Sequence, residues 1–236
     1  MDEIAILIPA YNEEQTIESI VDRCSRYTSH VIVVDDGSTD NTLLQLKNSR
    51  ANVLLSPENS GKGAALFKGF QLAIDKNYRG VITIDADGQH NPDDLPQFFA
   101  IIEKNPEKFI IGARRAQTQC APKLRLFANK VADFFISCAA RKRLCDTQSG
   151  YRYYPISFLK YVMNNSLVPN RFAFEAEILV TAIRLGLSVD YVNIHSCYPL
   201  DARASHYHPS KDTWRITKVV VKLIFTRSAA FNHDSI

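Results

Sequence analysis

Five short apolar runs alternate with helix-like segments through the first half of the chain, and this alternation limits the fold more than any other feature. The runs cover residues 4–10, 30–37, 52–56, 80–87 and 109–114. They are rich in β-branched residues and almost continuously apolar, as is typical of parallel strands covered by helices on both faces. Helical patterns lie between them, at 14–27, 40–48, 61–77 and 94–104. The order predicts an α/β protein with a mostly parallel sheet and right-handed crossovers.

The second half is less regular. Helices are expected near 123–141, 155–164, 173–186 and 210–228, and a strand is expected at 188–194. Because no charge run or Pro/Gly-rich break separates the two halves, we expect one domain over 1–209. Its parts would be 1–114 and 115–209, and a C-terminal helix and tail would follow at 210–236.

Composition excludes several classes of protein. A chain of 236 residues that is 46% hydrophobic can bury a sizeable core, and a net charge of +3 is too small to indicate nucleic acid binding. The five cysteines are odd in number and form no C-x-x-C pair, which favours reduced cysteines in a cytoplasmic protein. The acidic N-terminus does not resemble a signal peptide, and no window is apolar enough for a transmembrane helix.

Polar side chains gather where three of the predicted strands end. In an open parallel sheet, ligands bind beyond the carboxyl ends of the strands. Asp85 and Asp87 would point to the same side if the fourth strand continues through them, and Gln89 would add a neutral oxygen ligand. Such a set suits Mg²⁺ or Mn²⁺ shared with a diphosphate. The alternative is a solvated acidic loop that caps the next helix, a role expected of Asp93 or Asp94.

Two further segments have both a binding and a structural interpretation. Asp35 and Asp36 could accept hydrogen bonds from a nucleobase or a ribose hydroxyl, or could form a turn before a capped helix. The segment NSGKGAA (59–65) resembles a phosphate loop but lacks the G-x-x-x-x-G-K-[ST] spacing. Its glycines permit close backbone approach, and Lys62 offers a point charge.

Six motifs carry a resemblance to a known family. IPAYNEEQTI, VIVVDDGSTDNT, NSGKGAA, ITIDADGQHNPDDLP, IIGAR and DTQSGYRYYP occur in this order between residues 4 and 200. Together they resemble the family-2 glycosyltransferases of GT-A fold, and most closely the branch that glycosylates polyprenol (dolichol) phosphate. The resemblance implies a metal-dependent, inverting enzyme that transfers a sugar from a GDP- or UDP-linked donor.

The resemblance also implies roles for single residues. Asp85, Asp87 and Gln89 would hold Mg²⁺ or Mn²⁺. Lys62 would lie close to the donor, and Arg114 and Arg125 would face the acceptor phosphate. The nucleoside would be held by Pro9, Tyr11, Glu13, Asp35 and Asp36.

The acceptor decides which other groups are needed. A phosphate monoester is already anionic near neutral pH, so it needs arginines rather than a base, and Arg114, Arg125 and Arg203 are candidates. A hydroxyl acceptor needs a general base, for which Asp146 and Glu175 are the candidates. Their structural alternatives are an ion pair of Asp146 with Arg152 and an organising contact of Glu175 with the arginines. Glu177 is expected to be structural, and His208 is expected to be a loop residue rather than a ligand of the metal or diphosphate.

The C-terminal segment 211–228 has an amphipathic pattern. Ile216, Val219, Val220, Leu223 and Ile224 follow helical spacing, and lysines and an arginine lie on the other side. A basic amphipathic helix of this kind can lie on an anionic membrane, or it can pack on the core. We expect a peripheral enzyme at the cytoplasmic face of the membrane that uses a lipid phosphate acceptor in cell envelope biogenesis. Two alternatives remain open: transfer to a hydroxyl of a lipid or glycan, and nucleotide-sugar binding without turnover.

Overall fold

A computed structural model describes residues 3–114, 123–165 and 174–195, with the side chains of residues 123–128 left out. The strands are β1 (Ile4–Ala10), β2 (Val31–Asp35), β3 (Asn52–Leu55), β4 (Gly80–Thr83), β5 (Phe109–Ala113), β6 (Arg152–Pro155) and β7 (Val189–Asn193). The helices are α1 (Ile17–Cys24), α2 (Thr42–Leu46), α3 (Lys62–Asp75), α4 (Leu95–Lys104), α5 (Lys123–Ala140), α6 (Ile156–Asn164) and α7 (Phe174–Arg184). The predicted helix at 210–228 lies outside the described residues.

The strands form a seven-stranded sheet in the order β3-β2-β1-β4-β6-β5-β7. β1 pairs in parallel with β2 and β4, β2 with β3, and β5 with β7. β6 is antiparallel to both of its neighbours, β4 and β5. The prediction of a mostly parallel sheet with flanking helices is therefore confirmed.

Each face of the sheet carries its own core, because alternate residues of a strand point to opposite sides. Along β1, Ala5 and Leu7 face one core, which contains buried residues of α3, α5, α6 and α7. Ile4, Ile6 and Ile8 face the other, which contains buried residues of α1 and α4. Both faces are covered by helices, which explains why β1 is apolar along its whole length.

Strand β6 was not predicted from the sequence, yet it determines where the second half of the chain reaches. Its first residue, Arg152, pairs with Thr83 at the end of β4. Because β6 runs antiparallel, the loop before it arrives at the same edge as the carboxyl ends of β1, β2 and β4. Residues 146–151 are thereby placed beside the acidic segment that follows β4.

The fourth strand ends earlier than the sequence predicted. It stops at Thr83, so Asp85 and Asp87 lie in the loop beyond it. The chain forms a turn there instead of continuing the strand, and the Asp87 Oδ1 atom accepts a hydrogen bond from the Gln89 amide at 3.0 Å. In the part of the chain that the structure describes, no helix is long and apolar enough to cross a membrane.

Candidate active site

The site lies at the carboxyl edge of the sheet, where the strand order reverses. From β1 the chain continues to β2 and β3 on one side and then returns to β4 on the other. A crevice is expected at such a reversal, between the segments that follow β1 and β4. The two segments are joined by Thr16, whose hydroxyl donates to the Ala86 carbonyl at 2.6 Å.

Lys62 lies between two carboxylates at this edge. As the first residue of α3, it places its Nζ atom 2.5 Å from Asp85 Oδ1 and 3.1 Å from Glu175 Oε2. Asp85 follows β4 and Glu175 lies in the first turn of α7, so the lysine connects the two halves of the chain. The second oxygen of Glu175, Oε1, is buried and has no hydrogen-bond partner among the described residues.

The charges of Lys62 and of the carboxylates beside it determine their protonation states. Burial opposes the charge of the Lys62 ammonium, but the carboxylates of Asp85 and Glu175 outweigh burial and raise the pKa of the lysine. Burial likewise opposes the charge of Asp85, and Lys62 together with His90 holds the pKa of that carboxyl well below its usual range. Both groups are therefore charged at neutral pH.

Two residues of the site were missed by sequence reasoning. His90 is buried and places its Nε2 atom 3.5 Å from Asp85 Oδ2. Gly150 lies so close to Asp85 and Lys62 that a Cβ atom there would be 2.7 Å from Lys62 Nζ. His90 ends the motif DADGQH, and Gly150 ends the motif DTQSG. Only the antiparallel pairing of β6 with β4 shows that these two motifs lie side by side.

Asp87 lies beside Asp85. Burial raises the pKa of Asp87, and the negative charge of Asp85 raises it further. The charge of Asp85 is balanced by Lys62, whereas Asp87 is hydrogen-bonded through one oxygen to the Gln89 amide. No cluster of three or more His, Cys, Asp or Glu side chains that could hold a metal ion occurs within residues 3–114, 123–165 and 174–195. The metal-ligand roles expected of Asp85, Asp87 and Gln89 therefore stay a prediction.

The two carboxylates that follow β2 have different surroundings. Asp36 accepts hydrogen bonds from the Ser60 amide at 3.1 Å and the Gly61 amide at 2.6 Å, so it fixes the loop before Lys62. Asp35 accepts from the Ser38 amide at 3.1 Å, and its other oxygen, Oδ1, is buried without a hydrogen-bond partner in the described structure. Asp36 thus has a structural contact, whereas one oxygen of Asp35 has no hydrogen-bond partner among the described residues.

Gly37 lets the segments after β2 and β3 approach each other. Its φ of +75° is rare for residues other than glycine, and an added Cβ would lie 2.7 Å from the Glu58 carbonyl carbon. This close approach brings the loop of residues 58–61 within reach of Asp36.

Arg114 and Asp146 form a nearly buried ion pair. Asp146 Oδ2 accepts from the Arg114 backbone amide at 2.7 Å and from its Nε atom at 2.8 Å, and Asp146 Oδ1 accepts from its Nη2 atom at 2.5 Å. Burial would raise the pKa of Asp146, but the bonds and charge of Arg114 outweigh it and lower the pKa. A base with a lowered pKa is a weak one, which argues against Asp146 as a general base.

The ion pair of Asp146 with Arg152 that the sequence suggested is wrong. Arg152 is fully buried and donates to the backbone carbonyls of Ser149, Glu175 and Thr147 at 2.7, 2.8 and 2.6 Å. It therefore ties the loop before β6 to the start of α7. Among the described residues, the Glu175 carbonyl accepts from Arg152, and its carboxylate pairs with Lys62.

The remaining candidates divide by position. Pro9 lies in β1, and Tyr11 and Glu13 follow it at the same edge. The Asn12 amide donates to Ser38 Oγ at 2.9 Å, which joins the segments after β1 and β2. Arg125 lies in the first turns of α5, with its side chain outside the described residues, and Arg203 and His208 lie outside them altogether.

Asp93 and Asp94 have structural contacts. Asp93 pairs with Arg23 at 2.6 Å, and the Asp94 carboxylate accepts from the His195 amide at 2.9 Å, which ties the end of β7 to the start of α4. The helix-capping contact expected in this segment is made by Asn91, whose Oδ1 atom accepts from the Asp93 amide at 3.2 Å. These two carboxylates are thereby separated in role from Asp85 and Asp87.

The mostly parallel sheet with flanking helices matches glycosyltransferase structures of GT-A fold. The model of the family described as "Glycosyl transferase family 2" matches residues 5–161, and the chain belongs to that family.

Relatives and solved structures agree with this assignment. The chain is 28% identical over 216 residues to the UDP-N-acetylglucosamine–dolichyl-phosphate N-acetylglucosaminyltransferase of Methanococcus voltae, covering 83% of this chain and 86% of that protein. It is 28% identical over 200 residues to the polyprenol monophosphomannose synthase of Mycolicibacterium smegmatis, covering 80% and 75%. The crystal structure of glucosyl-3-phosphoglycerate synthase from Mycobacterium tuberculosis with Mn²⁺, uridine diphosphate and glucosyl-3-phosphoglycerate has the same fold. Its TM-score is 0.71 at 21% identity, with 97% and 82% of the two chains covered.

Proposed function

We propose that this enzyme transfers a sugar, with inversion, from a nucleotide-sugar donor to the phosphate of a polyprenyl phosphate. Two of its relatives are named for transfer to, or synthesis of, polyprenyl-type phosphates. The observation that carries the proposal is the meeting of Lys62, Asp85 and Asp87 with the Arg114–Asp146 pair at one edge of the sheet. The first group suits a diphosphate donor, and the second suits a phosphate acceptor.

The donor side is built from the segments that follow β1, β2 and β4. Asp35 offers a buried oxygen without a hydrogen-bond partner among the described residues, which suits an N–H or hydroxyl donor of a nucleoside. Asp36 fixes the loop that ends at Gly61, and that loop places Lys62 at the start of α3. Pro9, Tyr11 and Glu13 would border the same nucleoside. The base is either guanine or uracil.

The residues present fit a divalent cation. The pKa of Asp87 is raised by burial and by the charge of Asp85, so a positive partner would relieve a real repulsion. Asp85, Asp87 and Gln89 supply hard oxygen ligands, which suit Mg²⁺ or Mn²⁺, and they leave positions for diphosphate oxygens. When bound there, such an ion would neutralise the charge that develops on the leaving diphosphate. Lys62 remains close enough to Asp85 to orient it and to hold a donor oxygen.

The acceptor side favours a phosphate over a hydroxyl. A phosphate monoester already carries the nucleophilic oxygen as an anion near neutral pH, so no general base is required. Asp146 is occupied by Arg114 through both of its oxygens, which favours a role in orienting the guanidinium. Arg125 and Arg203 are proposed to complete the acceptor site. For the hydroxyl alternative, Glu175 is the candidate base, because Asp146 is a weak one.

The experiment that tests this proposal compares two lipid acceptors of equal chain length, polyprenyl phosphate and the free polyprenol. Labelled UDP- and GDP-sugars are supplied with Mn²⁺, and the lipid product is separated and counted. We expect product with the phosphate only and with donors of one base. Product with polyprenol that disappears in Glu175→Gln would establish the hydroxyl alternative instead. Neither transfer nor donor hydrolysis with any acceptor would indicate a binding protein without turnover.

Contact with a membrane is part of the same proposal. On α5, Phe134 and Phe135 expose 64% and 36% of their surface, and Arg141, Lys142 and Arg143 are exposed directly after the helix. Aromatic residues beside a basic run suit the surface of an anionic bilayer. Docking there, at the cytoplasmic face, would bring the site to the headgroup of a lipid acceptor.

A further inference from the structure

The loop that carries Asp146 is held by one face of α5. Ser137 Oγ accepts a hydrogen bond from the Leu144 amide at 3.0 Å. One turn earlier, Asp133 Oδ2 accepts from the Asp146 amide at 3.0 Å, and Asp133 Oδ1 accepts from the Thr147 amide and hydroxyl at 2.7 and 2.6 Å. Asp133 and Ser137 are four residues apart and so share a helix face.

Asp146 has a backbone conformation that needs support. Its φ is +48°, in the left-handed region that few residues other than glycine adopt. In this conformation its carboxylate meets the amide, Nε and Nη2 donors of Arg114. The three bonds to Asp133 hold the backbone of Asp146 and its neighbour. The orientation of the Arg114 guanidinium therefore depends on Asp133 through Asp146.

The surroundings of Asp133 both oppose and favour a charged carboxylate at this position. Burial raises the pKa of Asp133, hydrogen bonds from Thr147 and from the Asp146 amide lower it, and the nearby Asp146 charge raises it again. A neutral side chain could accept some of these bonds without repelling Asp146. Both oxygens of a carboxylate, however, are needed to hold two successive amides and a hydroxyl at once.

We propose that Asp133 is a positioning residue for the acceptor phosphate, which it serves by fixing Asp146 and, through it, the guanidinium of Arg114. This inference rests on the proposed function, since it assumes that Arg114 faces a phosphate. Asp133 itself does not touch the acceptor. Its loss changes how well the acceptor is bound and leaves donor binding intact.

The experiment measures steady-state transfer to polyprenyl phosphate by the variant Asp133→Asn. In this variant an NH₂ group replaces one carboxylate oxygen, so it faces an N–H or O–H donor of Asp146 or Thr147 and cannot accept its hydrogen bond. We expect kcat/KM for the acceptor to fall on the order of 10²-fold, mainly through KM, because a small displacement of a positioning group has effects of this size. Donor binding, measured as the melting shift with Mn²⁺ and the matching nucleoside diphosphate, stays unchanged. Thr147→Val, which removes the hydroxyl that donates to Asp133, shifts the acceptor KM in the same direction by less.

Ser137→Ala is the matched control, because it removes a bond from the same helix face to the same loop at Leu144. We expect its acceptor KM to stay within about twofold of the wild type. Equal acceptor KM values in Asp133→Asn, Thr147→Val and the wild type would overturn the inference, and so would equal increases in Asp133→Asn and Ser137→Ala. A wild-type enzyme that transfers no sugar to polyprenyl phosphate would instead contradict the proposed function, and the assumption about Arg114 would fail with it.

Discussion

At the scale of single residues, the site is organised around the balance of charge between one lysine and the carboxylates near it. Lys62 lies 2.5 Å from Asp85 and 3.1 Å from Glu175, with about a third of its side chain exposed. Asp87 lies close enough to Asp85 for their charges to repel, and no lysine or arginine ion pair with it is seen in the described structure. The lysine thus leaves a site for one further positive charge, which agrees with the proposed divalent ion.

Gly150→Ala should weaken donor binding. The added methyl group would lie 2.7 Å from Lys62 Nζ and also collide with the Asp85 carboxylate, so one of the two must move. We expect the dissociation constant for Mn²⁺ with nucleoside diphosphate, measured by calorimetry, to rise about tenfold or more, since each tenfold change is 1.4 kcal/mol. Gly186→Ala is the control. Its φ of +89° makes an alanine there strain the backbone, but the added Cβ would have no atom within 4 Å. Equal binding by the two variants would argue against the prediction.

Asp146→Asn should destabilise the protein in a pH-dependent way. The pKa of Asp146 is lowered in the folded state, so the ion pair contributes fully above the ordinary pKa of about 3.9 and is lost as the pH falls through the folded value. Because Arg114 is left nearly buried without its partner, we expect a loss on the order of 3 kcal/mol at neutral pH. Urea unfolding should show the difference from the wild type narrowing below about pH 4. A difference that stays constant through the acid range would contradict this account.

Part of the residue-level site could be predicted from the sequence, and part could not. Asp85 and Asp87 were singled out because carboxylates directly after an apolar run are unusual, and Lys62 because its segment resembles a phosphate loop. Gly150 was not, because its role depends on a contact between distant segments of the chain. His90 was given no role, because the pattern of residues does not show that the loop turns its ring back to Asp85. Asp146 was matched with the wrong arginine, since sequence proximity to Arg152 says nothing of which guanidinium its backbone faces.

At the scale of elements, β6 is the part of the fold that connects the two halves of the site. Its antiparallel pairing with β4 brings residues 146–151 to the carboxyl edge. Arg152 at its start donates to two carbonyls of this loop and to the Glu175 carbonyl of α7. Strand β6 has the sequence Arg-Tyr-Tyr-Pro, which lacks an aliphatic run, and a fully buried arginine contradicts the usual pattern. The parallel strands, with longer apolar runs, were all predicted.

Arg152→Lys should be strongly destabilising although the positive charge is kept. The three nitrogens of the planar guanidinium each donate to a different carbonyl, and a single lysine ammonium cannot reach all three. Buried carbonyl oxygens would therefore be left without donors. We expect a loss of about 3 kcal/mol in the free energy of unfolding, measured in urea. Arg23→Lys is the control: its pair with Asp93 is exposed, and the expected loss is below about 1 kcal/mol. Similar losses in the two variants would show that Arg152 has no special role.

At the scale of the whole molecule, one sheet joins the residues proposed for the donor and for the acceptor. The residues proposed for the donor lie in or directly after β1, β2 and β4 and at the start of α3. Arg114 follows β5, and Asp146 lies in the loop before β6. Both sets meet at one edge because parallel strands all end there, and the one antiparallel strand begins there. The prediction of a single domain over 1–209 with a functional division near residue 114 is compatible with this arrangement and stays a prediction.

Replacing both Phe134 and Phe135 by Ser should weaken binding to vesicles that contain anionic lipid. Burial of an aromatic side chain contributes about 1.5–3 kcal/mol, so we expect at least a tenfold loss in a sedimentation assay. Leu44→Ser is the matched control, because Leu44 is 63% exposed on a different helix, α2. Equal binding by the Phe double variant and the wild type would place the membrane contact elsewhere, with the C-terminal segment 211–228 as the next candidate.

The measurement that tests the central claim most directly is thermal melting with Mn²⁺ and a panel of nucleoside diphosphates, for the wild type, Asp87→Asn and Asp93→Asn. A ligand at a hundred times its dissociation constant stabilises by about 2.7 kcal/mol, which such a scan detects readily. We predict a metal-dependent shift with nucleotides of one base in the wild type and in Asp93→Asn, whose carboxylate pairs with Arg23 away from the site. The shift should be lost in Asp87→Asn. No shift with any nucleoside diphosphate, or an equal shift in all three proteins, would contradict a donor site at Asp85 and Asp87.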